Sequence, residues 1–206
     1  MSSCHCQIAL ANLERFYRVT ARVTDSLLQN VNLYLVGMMG SGKTTVGRLL
    51  ARELGYQFFD TDELVEEIAG CSIAQIFADA GEAQFRQLES QVLEQLCAYQ
   101  KLLVATGGGI VLSPKNWSYL HHGLVVWLDV SAEQLYRRLQ GDSSRPLLQN
   151  PDPLATLRSL LASRQGLYAQ ADLRLVVGEG ETPEAIVRRA IAEIPKCLKT
   201  TTVDLN

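Results

Sequence analysis

Short apolar runs alternate with stretches of helical periodicity from about residue 31 to about residue 195. The runs at 102–105 and 124–128 are wholly apolar, and further β-favouring runs lie at 32–36, 56–59 and 173–177. Between these runs, apolar residues recur every three or four positions, as they do on one face of a helix. Continuous apolar strands between helices are typical of a parallel sheet covered on both faces. The pattern therefore predicts a three-layer α/β sandwich with five strands.

Capping residues indicate where several of the helices begin. Ser72 and Ser131 are each followed three positions later by Gln, which is a capping-box pattern. Thr182 followed by Pro183 gives an N-cap and a proline at the first helical position. The helix that begins after Ser72 is expected to end near Gly81. The other predicted helices run over 44–54, 63–69, 82–99 and 153–169.

The chain divides into an N-terminal extension (1–30), a main domain (31–195) and a C-terminal tail (196–206). Apolar residues in the extension recur at helical spacing, which predicts an amphipathic helix. This helix either docks on the domain or forms an organelle transit peptide, as its serines and arginines would suit. Glu14 and Asp25 count against a transit peptide. We expect a cytoplasmic protein, or a plastid protein if the extension is a transit peptide.

The charge balance and the lengths of the apolar runs argue against two classes of protein, nucleic-acid binders and membrane-spanning proteins. The 206 residues include 19 Lys and Arg against 22 Asp and Glu, so the formal net charge is −3. This balance argues against the basic face of a nucleic-acid binder, and no apolar run in the main domain approaches the roughly 18 residues of a membrane span.

The five cysteines are odd in number and scattered, which indicates a reducing compartment. Cys4, His5 and Cys6 could bind a metal, but no second ligand pair follows at zinc-site spacing. We expect a monomer that binds small molecules and neither nucleic acid nor a membrane.

Residues 37–44, which we call the P-loop, read Gly-Met-Met-Gly-Ser-Gly-Lys-Thr and match G-x-x-x-x-G-K-[ST] between a predicted strand and helix. Glycines let consecutive backbone N–H groups turn toward a polyphosphate, and the following helix adds its positive end. In this pattern Lys43 reaches the β- and γ-phosphate oxygens, and the Thr44 hydroxyl can ligate Mg²⁺. The P-loop predicts a nucleoside triphosphate site but does not name a reaction.

Two aspartates follow the second predicted strand, at the end where an open α/β sheet presents ligand-binding side chains. Asp60 could face a hydrated metal, and Asp62 could accept a proton from a hydroxyl. The alternative interpretation is that one of them caps the helix over 63–69. The two interpretations are compatible, because a capping carboxylate can still take part in catalysis.

The third strand ends in Gly107, Gly108 and Gly109, which we call the triple-glycine turn. Three glycines there forgo side-chain packing, at roughly 0.5 to 1 kcal/mol each, so the pattern favours a ligand near bare backbone over a plain tight turn. The main domain also carries arginines suited to phosphate or carboxylate, notably Arg145 beside Gly, Ser and Pro. Taken singly, each such arginine is more typical of a solvated surface.

Taken together, these motifs resemble the shikimate kinase family and stand in that family's order. The resemblance covers about residues 31–195. Its parts are the P-loop with its Met38-Met39 pair, Asp60-Thr61-Asp62, segment 81–89 with Arg86 and Glu89, the triple-glycine turn, Arg145-Pro146-Leu147-Leu148, and segment 164–168.

The resemblance implies a P-loop fold of the nucleoside-monophosphate-kinase type, with a five-stranded parallel sheet and a lid. It implies that ATP, with Mg²⁺, phosphorylates the 3-hydroxyl of shikimate in aromatic amino-acid biosynthesis. The implied catalytic residues are Asp62 as the group that holds and deprotonates the hydroxyl, with Lys43 and Arg145 stabilising the phosphates.

The resemblance also implies three sets of binding residues. Thr44 would bind Mg²⁺ directly and Asp60 through water, and Arg138 would pack near adenine. No adenine contact is assigned to the acidic segment 178–181. The ATP-binding set is Gly40, Ser41, Gly42, Lys43, Thr44, Thr45, Arg138 and Arg145. The shikimate-binding set is Asp62, Gly107, Gly108 and Gly109, with Arg86 and Arg164 holding the carboxylate.

Two other functions stay open. The chain could be a P-loop kinase of another small hydroxy acid, such as gluconate. It could also be a non-catalytic binding protein of the shikimate kinase type, although every matched functional position is present.

Overall fold

The structure is a computed structural model that describes Leu28, residues 30–140 and residues 151–200, with side chains up to residue 197. Most of the N-terminal extension, the predicted lid with Arg145, and the chain from residue 201 lie outside the described residues. The strands are β1 (Leu33–Val36), β2 (Gln57–Asp60), β3 (Leu102–Ala105), β4 (Leu124–Asp129) and β5 (Leu173–Val176). The helices are α1 (Lys43–Leu54), α2 (Thr61–Ala69), α3 (Ile73–Leu96), α4 (Pro114–Leu120), α5 (Ala132–Leu139), α6 (Pro153–Tyr168) and α7 (Pro183–Thr200), and a 3-10 turn spans Ile110–Leu112.

The five strands form one parallel sheet in the order β2-β3-β1-β4-β5. Leu33 of the central strand lies opposite Leu103 on one side and Leu124 on the other. Every residue of β1 and β3 is buried, whereas alternate residues of the edge strand β5 are exposed. The parallel sheet predicted from the apolar runs is confirmed.

Helices cover both faces of the sheet. On one face, α1 packs so closely that a Cβ on Gly47 would lie 3.2 Å from Leu35 Cδ1 and 3.1 Å from Leu103 Cδ2. On the other face, the Tyr34 hydroxyl lies 3.2 Å from Cys97 Sγ at the end of α3. Because successive residues of a strand point to opposite faces, α1 and α3 lie on opposite sides of the sheet. The predicted three-layer sandwich is confirmed.

The predicted capping residues begin their helices. Ser72 Oγ accepts a hydrogen bond from Gln75 N at 3.2 Å, and Ser131 Oγ accepts one from Gln134 N at 3.3 Å. Thr182 Oγ1 accepts one from a backbone N–H in the first turn of α7 at 3.3 Å. Each cap satisfies an N–H group that a helix cannot pair within its own first turn.

Two helices depart from the prediction. The short helix after Ser72 and the long helix over 82–99 are one element, α3, which bends at Gly81 (φ 79°, ψ 174°). Helix α4 has no counterpart in the prediction, although Ser113 and Pro114 repeat the pattern of an N-cap and a first-position proline.

The last helix, α7, runs past residue 195 to Thr200. Among the described helices, none combines the length and the hydropathy needed to cross a membrane.

Candidate active site

The P-loop connects the central strand β1 to α1 and turns back over the start of that helix. Gly42 is the N-cap of α1 with a left-handed backbone (φ 94°), a conformation that favours glycine. The Lys43 side chain is buried and donates to Gly37 O and Met38 O, both at 2.9 Å. These bonds hold the ammonium group within the loop at the start of α1.

Thr44 and Asp60 bring a hydroxyl and a carboxylate together beside the P-loop. Thr44 Oγ1 donates to Asp60 Oδ2 at 2.7 Å, while Asp60 Oδ1 accepts from Asp62 N at 3.0 Å and caps α2. The capping interpretation is therefore correct for Asp60, and its second oxygen is left for the Thr44 hydroxyl. Two hard oxygen donors at this spacing fit Mg²⁺, which binds one or two protein oxygens beside phosphates and water.

The triple-glycine turn follows β3, the neighbour of β1 in the sheet. Its backbone is fixed at the start, because Gly107 N donates to the buried Thr61 Oγ1 at 2.9 Å. A Cβ on Gly107 would lie 2.7 Å from Asp62 Oδ1 and closer still to Glu89 Oε1. The absent side chain lets both carboxyl groups reach the same side of the turn.

Arg86 lies against the other end of the turn. Its guanidinium overlaps the position that a Cβ on Gly109 would take, so only glycine fits there with the arginine in place. Arg86 Nη1 donates to Glu89 Oε2 at 2.8 Å, and Nη2 donates to Glu82 Oε1 at 3.1 Å. These contacts orient the guanidinium across the site.

Burial and neighbouring charges shift the pKa values of Glu89 and Arg86. Burial raises the pKa of Glu89, against the lowering effect of the Arg86 charge, and the nearby Asp62 adds to the rise. Burial alone would lower the pKa of Arg86, but the Glu89 and Glu82 carboxylates reverse that effect and raise it. Arg86 therefore remains a cation in the site.

Helix α6 brings Arg164, the second arginine predicted to hold the carboxylate, to the same turn. Arg164 Nη1 donates to Gly108 O at 3.2 Å, and the buried Tyr168 hydroxyl donates to the same oxygen at 2.6 Å. A Cβ on Gly108 would lie 3.2 Å from Met39 N of the P-loop. Gly108 thus connects the P-loop to the side of the site that holds the arginines.

The structure brings most of the predicted site residues together. Asp62, Arg86 and Arg164 meet at the triple-glycine turn, and Lys43 and Thr44 lie beside it, although these residues come from four separate helices. The cause is the sheet order, since the P-loop follows β1, Asp60 ends β2 and the triple-glycine turn follows β3, and these three strands are adjacent in the sheet.

The remaining predicted ATP ligands that the structure describes lie on or near the P-loop. Gly40 and Ser41 belong to it, and Arg138 on α5 donates to Ser41 O at 3.2 Å. Thr45 is exposed in the first turn of α1. Arg145 lies outside the described residues.

Sequence reasoning assigned no role to two side chains of the site, Glu89 and Tyr168. Both are completely buried, and both contact residues that had been assigned. The spacing of Glu89 three positions after Arg86 suggests an ion pair within a helix. The contact between Tyr168 and Gly108 joins residues 60 positions apart, so no local pattern could have indicated it.

Comparison with known proteins identifies the family. A sequence model of the family described as shikimate kinase matches residues 39–195, more than half of the chain. The chain belongs to the shikimate kinase family. The shikimate kinase of Trichormus variabilis is 63% identical over 180 residues, which cover 87% of this chain and 99% of that protein. The shikimate kinase of Synechococcus elongatus is 55% identical over 172 residues, covering 84% and 90%.

Solved structures show the same relationship. Shikimate kinase from Acinetobacter baumannii in complex with shikimate superposes with a TM-score of 0.78 at 35% identity, covering 88% of this chain and all of the other. The Aquifex aeolicus shikimate kinase gives 0.68 at 32% identity, covering 84% and 99%. A gluconokinase from Sinorhizobium meliloti, at 0.53 and 18% identity, shares the fold alone. The fold and family expected from the motifs are confirmed.

Proposed function

We propose that this chain transfers the γ-phosphoryl group of ATP to the 3-hydroxyl of shikimate, forming ADP and shikimate 3-phosphate for aromatic amino-acid biosynthesis. The observation that carries this proposal is the meeting of two guanidinium groups, from Arg86 and Arg164, at one glycine turn beside Asp62. A small carboxylic acid with several hydroxyls requires this combination of cations, an acceptor and a backbone wall. Membership of the shikimate kinase family supports the same substrate.

The proposed reaction begins with Asp62 as the proton acceptor. The 3-hydroxyl oxygen attacks the γ-phosphorus, its proton passes to the Asp62 carboxylate, and the bond from the γ-phosphorus to the β–γ bridging oxygen breaks to release ADP. Arg86 and Arg164 hold the shikimate carboxylate, and the triple-glycine turn forms the wall of the pocket. Positioning and charge stabilisation supply most of the rate enhancement in such a transfer.

Charges on the phosphate side of the site complete the proposal. Lys43 would neutralise the β- and γ-phosphates from within the P-loop, and the predicted lid residue Arg145 would add a second positive charge. Mg²⁺, held by Thr44 and through water by Asp60, would supply further neutralisation when bound. The contact of Arg138 with the P-loop supports a position near the nucleotide.

The proposed biological context follows from the relatives. The bacterial homologues support a cytoplasmic enzyme, and no observation supports the plastid alternative. Small-molecule substrates, a monomer and no binding to nucleic acid remain part of the proposal. The division into an extension (1–30), a catalytic domain (31–195) and a tail (196–206) is likewise proposed.

Coupled ADP release tests this function. The full chain is assayed with ATP and either shikimate or gluconate, with Mg²⁺ present and after chelation with EDTA, and NMR locates the phosphate on the product. We expect ADP release with shikimate alone, dependent on Mg²⁺, and phosphate on the 3-oxygen. Turnover of gluconate in place of shikimate would identify the other kinase. Shikimate binding without ADP release would identify a binding protein.

A further inference from the structure

One buried hydroxyl lies between the two halves of the site without belonging to any predicted set. Tyr168 ends α6 and is completely buried, with its ring stacked 5.8 Å from the Trp127 ring. Its hydroxyl donates to Gly108 O at 2.6 Å and lies 3.5 Å from Met38 Sδ of the P-loop. The side chain thus touches both the P-loop and the triple-glycine turn.

The same carbonyl is also an acceptor for Arg164, which stands one helical turn before Tyr168. Arg164 Nη1 reaches Gly108 O at 3.2 Å, a longer bond than the one from the hydroxyl. A carbonyl oxygen has two lone pairs, so both donors can share it. Because the bond from Tyr168 is shorter, Arg164 makes the weaker of the two hydrogen bonds to Gly108 O.

We propose that Tyr168 is a positioning residue, which engages Gly108 O so that Arg164 remains available to the carboxylate of the substrate. Without the hydroxyl, Arg164 is the remaining described donor to Gly108 O and can shorten its bond to that oxygen. A substrate carboxylate would then have to compete for an N–H group already committed to the backbone. This inference rests on the proposed function, because it requires an anionic substrate at Arg164.

The protonation state of Tyr168 suits this role. Burial raises the pKa of the phenol, although the Arg164 charge opposes the rise, so the group remains a donor at neutral pH. The ring is fixed by Trp127 and the surrounding core, and a phenylalanine would occupy the same space. Tyr168→Phe therefore removes the hydrogen bond while it preserves the packing.

Tyr34 provides a matched control. It is also completely buried, and its hydroxyl lies 3.2 Å from Cys97 Sγ and accepts from Asn32 Nδ2 at 3.4 Å. It belongs to β1 near the end of the sheet opposite the P-loop. Tyr34→Phe removes a buried hydroxyl of the same kind away from the site, so it reports the general cost of such a change.

The experiment measures KM for shikimate and for ATP in the wild-type chain, Tyr34→Phe and Tyr168→Phe. Loss of one hydrogen bond predicts a rise of about three- to tenfold in KM for shikimate with Tyr168→Phe alone, and a change of less than about twofold for ATP. In an Arg164→Ala background, Tyr168→Phe should no longer raise KM for shikimate. Thermal melting of both phenylalanine variants is recorded first and should show similar losses.

A second readout compares shikimate with its methyl ester, which lacks the carboxylate charge. If Tyr168 acts through Arg164, Tyr168→Phe lowers kcat/KM for shikimate but leaves that for the ester almost unchanged. Equal losses for both substrates, an unchanged KM for shikimate, or an undiminished effect without Arg164 would overturn the positioning role. A wild-type chain inactive toward shikimate would overturn the proposed function as well, so the two failures are distinguishable.

Discussion

Replacing Arg86 with alanine removes the counter-ion of a carboxylate that the fold buries completely. The Glu89 side chain has 0% exposure, and Arg86 Nη1 lies 2.8 Å from its Oε2. Loss of one partner from a buried ion pair costs about 3 to 5 kcal/mol, because the remaining charge is left without compensation. Since the Arg86 side chain is 26% exposed, water can replace part of the lost interaction. We therefore expect a loss of about 3 kcal/mol in the free energy of unfolding.

The loss should depend on pH with a defined sign. Burial raises the pKa of Glu89 in the folded protein, and the Arg86 charge opposes that rise, so Arg86→Ala raises the pKa further. A carboxyl group with a raised folded pKa stabilises the fold below its unfolded pKa, and this stabilisation is lost as the pH rises through the folded value. The cost of Arg86→Ala is therefore largest near neutral pH and smaller in acid, where Glu89 is protonated in both states.

Urea denaturation followed by circular dichroism measures this cost at about pH 7.5 and about pH 4, the lower value lying below the ordinary pKa of a Glu carboxyl group. The control is Arg86→Ala combined with Glu89→Gln, which removes the buried charge while it keeps the volume. The double variant should recover most of the lost stability at the higher pH. The KM for shikimate should stay raised in both the single and the double variant, because both lack Arg86. Equal losses at both pH values, with no recovery from Glu89→Gln, would refute the assignment of the cost to a buried charge.

Three further predictions concern kcat and the KM for shikimate. Asp62→Asn should lower kcat by at least about 100-fold, while calorimetry with a nonhydrolysable ATP analogue should show unchanged affinity. Arg164→Ala should mainly raise KM for shikimate and Arg145→Ala should mainly lower kcat, a division that initial rates would contradict if both parameters changed equally in both variants. Gly109→Ala places a Cβ in the neighbouring guanidinium and should raise KM for shikimate about tenfold or more, whereas Gly166→Ala, which meets open space, should leave KM unchanged.

Local signals predicted the elements of the fold well, because capping and apolar periodicity act within a few residues. Ser72 and Ser131 bond to backbone three positions on, a contact that depends on little beyond the neighbouring sequence. Helix α4 was missed although Ser113 and Pro114 gave a comparable signal, because its seven residues are too few to show a helical period. The predicted helix end at Gly81 was wrong for a different reason: a glycine is typical of a helix end, but here one helix bends at the glycine and continues.

Residues of the candidate site also differ in how far the sequence alone could predict them. Lys43 and Thr44 stand in a contiguous motif, so the sequence alone indicated their proximity to a phosphate. Arg86 and Arg164 acquired a role through the family resemblance, since an isolated arginine on a helix carries no signal of its own. The role inferred for Tyr168 needed the structure, because Gly108 and Tyr168 meet only when α6 packs beside the sheet.

Glu89 shows why such residues escape prediction from the sequence. A buried carboxylate on an apolar helix face conflicts with the general preference of a core, and its raised pKa means that the ionised form destabilises the fold. The chain nevertheless places it where it orients Arg86 and lies near Asp62. Exchanging Glu89 for an apolar residue could stabilise the protein, but Arg86 would lose the partner that directs it across the site. Local rules therefore fail at Glu89 because its carboxylate pairs with Arg86 in the candidate site, a contact that the general preference for apolar core residues does not predict.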